Sequence, residues 1–199
     1  MFKFKTNLII GHRGCSYAKF NNTIEAFDKA IKSGADMIEF DVRKTRDGVL
    51  IIHHDSIIGD MRIRGNLWKD IQIEANKIGL DIPTLEEALK FLENKIMLDV
   101  ELKETGYEKD VINIVLKYFA PAEFVAKSFN DRSVLEIKKS FPGVTAGLLL
   151  GKGRDTETGR KLGLFKYLRV VLSELLPWYR AKQCGADFIA PNWKLLFLG

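Results

Sequence analysis

The sequence predicts an α/β fold, and three observations predict it. Short apolar or β-branched runs alternate with longer stretches of helical spacing. Several of the short runs are continuously apolar, as strands buried on both faces of a parallel sheet must be. Polar residues gather at the C-terminal ends of several different strands rather than at one switch point. That distribution favours a TIM (β/α)8-type barrel over a doubly wound sheet.

The elements follow in order. Asn7–Gly11 reads as the first strand. Thr23–Ser33 reads as a helix with Ile24, Phe27, Ala30 and Ile31 on one face and Gly34 as its stop. Met37–Val42 and Val49–His53 are the next strands. Thr84 is a plausible N-cap for a helix over Leu85–Leu92, with Glu87 completing a capping box. Strand Ile96–Leu102, helix Glu108–Tyr118, strand Phe124–Ser128, helix Asp131–Ser140 and strand Thr145–Leu150 continue the alternation. A helical stretch around Phe165–Cys184, kinked or divided at Pro177, leads to strand Asp187–Ala190. That makes about seven strands, where a closed barrel needs eight. Leu195–Leu198 is a further short apolar run, but the usual helix before it is missing. The expectation is one barrel domain over residues 1–199, incomplete at its C-terminal end.

Bulk properties exclude several classes. The 199 residues, 46% hydrophobic and 29% charged, suit one soluble globular domain. The formal charge of +5 is compatible with an anionic substrate or surface and identifies neither. No Lys/Arg run suggests a nucleic-acid arm, and no nucleic-acid-binding motif is present. Cys15 and Cys184 lie far apart without metal-type spacing, as expected of free thiols in a reducing compartment. The N-terminus lacks a secretory pattern, and no run reaches the roughly 20 apolar residues of a membrane span. A cytoplasmic location without an integral membrane segment is the expectation.

The chemical residues sit at strand ends. Gly11-His12-Arg13-Gly14 ends strand one. It pairs a proton-transfer group with a phosphate-binding fork, between glycines that permit close backbone approach by a ligand; the bland reading is a surface turn. Glu39 and Asp41, two apart on strand two, share one inward face. Two inward carboxylates are costly unless something positive lies between them. A divalent cation answers that need, and a salt bridge to Arg or Lys is the alternative. His53 and His54 end strand three, and alternation lets only one enter the site; the pattern after the strand favours His54. On strand four, Asp99, Glu101 and Lys103 share a face. Glu101 suits a third metal carboxylate, Lys103 a phosphate or hydroxyl ligand, and Asp99 a deeper supporting or structural place.

This inventory fits phosphoryl transfer. The cation would act as a Lewis acid, Arg13 and Lys103 would stabilise phosphate charge, and the histidines would move protons, being close to neutrality by nature.

Taken with Asn21-Asn22-Thr23, Gly34-Ala35-Asp36, Asp47-Gly48-Val49, Ile82-Pro83-Thr84, Ser128-Phe129-Asn130 and Gly185-Ala186-Asp187, these segments resemble the glycerophosphodiester phosphodiesterase family in order and spacing. The resemblance implies a TIM barrel that hydrolyses glycerophosphodiesters to an alcohol and sn-glycerol 3-phosphate. It implies one divalent cation, Ca2+ or Mg2+, on Glu39, Asp41 and Glu101. It implies His12 and His54 as acid and base, and Arg13 and Lys103 on the phosphate. It also implies attack by the substrate's own 2-hydroxyl, through a cyclic phosphate. Three departures stand out. Asn21 replaces the family's acidic residue, the segment Ser56–Asp81 is shorter than the usual capping insert, and a final strand with Trp-Thr and Asn is absent. Two further readings stay open. One is a lysophospholipase D-type phosphodiesterase, with the basic Leu162–Tyr179 stretch facing lipid. The other is a truncated barrel that binds metal or phosphate without turnover.

Overall fold

The computed structural model describes residues 7–15, 20–151 and 176–191. Strands β1 (Ile10–His12), β2 (Met37–Lys44), β3 (Leu50–Ile52), β4 (Ile57–Ile58), β5 (Met61–Arg62), β6 (Met97–Leu102), β7 (Phe124–Ser128), β8 (Thr145–Leu149) and β9 (Phe188–Ala190) are interleaved with six described α-helices. These are α1 (Ile24–Lys32), α2 (Trp68–Lys77), α3 (Leu85–Leu92), α4 (Glu108–Val115), α5 (Asp131–Ser140) and α6 (Pro177–Cys184). The main sheet has seven strands and runs β1-β2-β6-β7-β8-β9, with β3 attached to β2. Among the described residues it is an α/β sheet of the barrel kind that the alternation predicts, with seven strands and no closure.

Local signals explain the helix starts. Thr23 caps α1 by accepting a hydrogen bond from the Ala26 N–H, and Gly34 takes a left-handed φ of 84° just past the end. Thr84 and Glu87 form the full capping box of α3. Pro177 stands in the first turn of α6, where its missing N–H costs nothing, so within the described residues it starts a helix rather than kinking one. The rest of the expected Phe165–Cys184 helix, up to residue 175, and the run Leu195–Leu198 lie outside the described residues. Helix α4 stops at Val115, short of the expected Tyr118.

The main core lies between the sheet and its helices. Phe27, Phe40, Leu89, Val100, Phe124 and Val134 are all fully buried in it. Phe27 and Phe40 meet with ring centroids 6.0 Å apart. Cys15 and Cys184 are both free, as expected.

One strand differs in direction from a regular barrel strand. β3 pairs antiparallel with the end of β2, Val42 opposite Ile52 and Lys44 opposite Leu50. The reason is the length of its connection. A parallel return needs a crossover of a dozen or more residues, whereas only residues 45–49 separate the two strands. They form a tight hairpin, with Gly48 donating to the Thr45 carbonyl at 3.1 Å and holding φ 89°. The described parallel strands are therefore β1, β2, β6, β7, β8 and β9.

The segment Ser56–Asp81 is not bare loop. It holds the β4–β5 hairpin, a 3-10 turn over Ile63–Gly65 and α2, packed into a second small core of Ile51, Ile58, Ile63, Ile71, Leu80 and Ile82. Sequence reading placed no helix there because α2 buries only Ile71 and Ala75 and has no side-chain N-cap.

The glycines around His12 and Arg13 serve packing. A Cβ on Gly14 would lie 2.7 Å from the Ala26 carbonyl carbon, and its φ is 86°. One on Gly11 would meet Ala30 Cβ at 3.1 Å. Both glycines give α1 a close seat against the end of β1. Gly14→Ala should cost about 2 kcal/mol or more, since strain and overpacking act together. Denaturant melts of the two proteins measure this, and an unchanged midpoint would contradict it.

Candidate metal centre and active site

Parallel register brings the carboxylates together. Asp41 on β2 lies opposite Glu101 on β6, and Glu39 opposite Asp99. Period two points all four to one face. Glu39, Asp41 and Glu101 each offer an oxygen within 4.8 Å of the others, and all three are buried. The three sequence-chosen carboxylates do converge.

Cationic side chains close around them. Arg13 Nε is 3.2 Å from Asp41 Oδ2, and the Arg13 N–H donates to Glu39 Oε2 at 3.0 Å. Arg13 holds φ 57°, a left-handed conformation that costs a non-glycine residue strain and so points to a positional demand at this turn. Lys103 Nζ bridges Glu101 Oε1 at 2.6 Å and Asp41 Oδ1 at 3.1 Å. Both residues expected to face phosphate are paired with the carboxylates.

His12 ends β1 with its side chain 70% exposed and Nε2 3.9 Å from Glu39 Oε2. His54 follows β3, its Nδ1 2.9 Å from Asp55 Oδ1. That contact leaves Nε2 available for proton transfer. Desolvation, only partial for the exposed His12, followed by Arg13 for His12 and by Lys103 for His54, holds both imidazoles below the ordinary histidine value. Burial pushes His53 further down, to about 4. His53 serves the frame instead, its N–H donating to the Asp41 carbonyl at 2.9 Å.

Three partners escaped the sequence reading. Asn22, at φ 60°, donates to Asp41 Oδ2 at 2.8 Å and accepts from the Asp41 N–H at 3.3 Å. Lys127 on β7 reaches Asp99 Oδ2 at 2.7 Å and Glu39 Oε1 at 3.5 Å. A lysine inside the apolar run Phe124-Val125-Ala126-Lys127 was the available signal. Arg43, next on the inward face of β2 after Asp41, is buried beside Glu104. Asn21, by contrast, is exposed.

The electrostatics divide the carboxylates. Burial works against ionising Asp41, but Lys103, Arg13, His54 and the Asn22 hydrogen bond outweigh it and keep its carboxyl below the ordinary range. Burial and the neighbouring Asp41 charge push Glu39 up to about 8, although Lys127 opposes them. Burial also raises Asp99. Glu39 Oε1 and Asp41 Oδ1 are buried without a hydrogen-bond partner, their nearest cations being ion-pair neighbours at 3.5 and 3.1 Å. Buried oxygens left in this condition, in an all-carboxylate donor set, fit a hard divalent cation.

Fold and site together define an α/β-barrel protein with a candidate cation centre at the C-terminal ends of its parallel strands. The sequence profile of the glycerophosphoryl diester phosphodiesterase family matches residues 12–159, and the chain belongs to that family. A glycerophosphodiester phosphodiesterase of Caldanaerobacter subterraneus subsp. tengcongensis is 32% identical over 160 residues, covering 71% of this chain and 66% of that one. The solved glycerophosphodiester phosphodiesterase of Thermotoga maritima superposes with TM-score 0.62 at 21% identity, over 98% of this chain and 99% of that one. An Oleispira antarctica phosphodiesterase, solved in complex with its product sn-glycerol-3-phosphate, superposes with TM-score 0.64 at 19% identity, over 93% and 92%. At these identities the two structures establish the fold. The chain spans 66% and 65% of the length of the first curated relatives it matches. Among the described residues, no helix is long and apolar enough to cross a membrane.

Proposed function

We propose that this chain hydrolyses glycerophosphodiesters to an alcohol and sn-glycerol 3-phosphate. Glu39, Asp41 and Glu101 would hold one divalent cation, calcium or magnesium. The observation that carries the reading is the convergence of these three buried carboxylates in a chain of this family. When bound, the cation supplies Lewis-acid polarisation of the phosphoryl group. Arg13 and Lys103 set fixed positive charge beside the place where phosphate oxygens gather charge. His12 and His54 act as acid and base: one takes the proton of the substrate's attacking 2-hydroxyl while the other protonates the leaving alcohol oxygen, and with the roles reversed water then opens the cyclic phosphate to glycerol 3-phosphate.

The test is hydrolysis of glycerophosphocholine by the purified protein, with calcium or magnesium and again after chelation. Cation-dependent release of glycerol 3-phosphate supports the reading. Tight cation binding without turnover would instead support a non-catalytic binding barrel. A lysophospholipase D-type activity is the second reading, favoured by the exposed Leu176, Trp178 and Tyr179. It predicts faster cleavage of lysophosphatidylcholine micelles than of monomeric glycerophosphocholine.

A further inference from the structure

Arg43 is a guanidinium side chain only 2% exposed, on the inward face of β2 two residues beyond Asp41. Its guanidinium donates twice to one acceptor, the His54 backbone carbonyl, from Nε at 2.9 Å and from Nη2 at 2.7 Å. Its Nη1 donates to Glu104 Oε1 at 2.6 Å, and Glu104 is equally buried. Glu104 immediately follows Lys103. Its N–H donates to the Tyr107 hydroxyl at 3.0 Å, and that hydroxyl donates to the Val42 carbonyl at 2.8 Å.

A buried ion pair of this kind adds little net stability, because the cost of desolvating both charges offsets their attraction. What it does supply is geometry. A guanidinium fork has a fixed planar shape, and here it ties three segments: the turn after β3 that bears His54, the end of β6 that bears Lys103, and β2 between them.

We propose that Arg43, seated by Glu104, is a positioning residue that sets where the His54 imidazole stands relative to Lys103 and the carboxylates. The inference rests on the reading of His54 as an acid/base group. Asp55 fixes the ring from Nδ1, and Arg43 fixes the backbone from which the ring hangs. Without the fork, the His54 carbonyl loses both donations from Arg43 and the imidazole samples more than one place.

Two variants test this. Arg43→Lys keeps a positive charge beside Glu104 but cannot make the fork. The double variant Arg43→Met/Glu104→Leu removes both charges, which keeps an unpaired buried charge from unfolding the protein. Both should bind calcium as the parent does. Both should lose about 10- to 100-fold in kcat with KM nearly unchanged, the scale of a misplaced catalytic group. The His54 ring signal in the NMR spectrum should broaden or shift, and it is readily assigned in a chain with 3 histidines. Parental kcat together with an unmoved His54 signal in the folded double variant would overturn the proposal. His54→Ala in the same assay separates the two ideas. If His54→Ala is inactive while the double variant is fully active, only the positioning role fails. If His54→Ala is fully active, the acid/base reading itself fails. The NMR signal decides the positioning role even where turnover is absent.

Discussion

Glu39→Gln should make the chelator-treated protein more stable than the parent at neutral pH and abolish its stabilisation by calcium or magnesium. The reason is a charge imbalance. Glu39, Asp41, Asp99 and Glu101 face Arg13, Lys103 and Lys127, so one carboxylate lacks a counter-charge. The proton settles on Glu39, whose carboxyl burial and Asp41 push up from 4.5 to about 8. A raised folded-state value means that the stability Glu39 contributes is complete below 4.5 and is lost as pH rises through about 8. At neutrality glutamine resembles the protonated side chain of the folded protein but needs no proton uptake on folding, so the variant gains stability there and matches the parent only below about 4.5. A divalent cation must displace that proton, so parental affinity should rise about tenfold per pH unit up to about 8 and then level off. The variant offers no such carboxylate. Its kcat/KM should fall by more than the roughly 100-fold that losing a supporting partner of a ligand costs. Calorimetric titration across the pH range, with thermal melts of both proteins, measures each part. A variant that keeps the parental cation-induced rise in Tm would rule out Glu39 as a ligand.

Removing either His12 or His54 should cut kcat by about 10²–10⁴-fold, the usual contribution of a positioned acid or base. The pH profile gives a second readout. Partial desolvation, with Arg13 beside His12 and Lys103 beside His54, holds both imidazoles below the ordinary 6.5. With cation saturating, the limb belonging to the acid should lie below that value, and kcat/KM should decline as pH rises past it. The neighbouring His53→Ala makes the contrast. His53 is neutral across this range, held at about 4 by burial, and its backbone rather than its ring meets Asp41. It should keep kcat and change stability alone. Equal loss of kcat at His53 and His54 would show that the ring assigned to catalysis is the wrong one.

Much of this molecule is written in short-range pattern. The capping box at Thr84 and Glu87, the cap at Thr23 and the apolar face Ile24, Phe27, Ala30, Ile31 are local, and each helix formed where its signals lay. All seven expected strands are present, because a continuously apolar run flanked by turns has few other ways to be buried. What misled was a strand read alone. Val49–His53 looks like its neighbours, but direction is set by the length of the connection, and the hairpin at residues 45–49 turns β3 antiparallel. Helix α2 was missed because two buried side chains are too few for a period to emerge.

The sequence by itself determined the kind of chemistry. Glu39 and Asp41 must share a face in a strand, as must Asp99, Glu101 and Lys103, and inward acids with nearby bases call for a cation or a charge partner. The tertiary structure decided which charges meet. Register across β1, β2, β6 and β7 places Glu101 opposite Asp41, seats Lys127 between Asp99 and Glu39, and brings Arg43 to Glu104 across 61 positions of chain. No local periodicity encodes such pairings, because strand alternation fixes only the side on which a residue lies. Its neighbour there comes from a distant strand whose register the whole core sets.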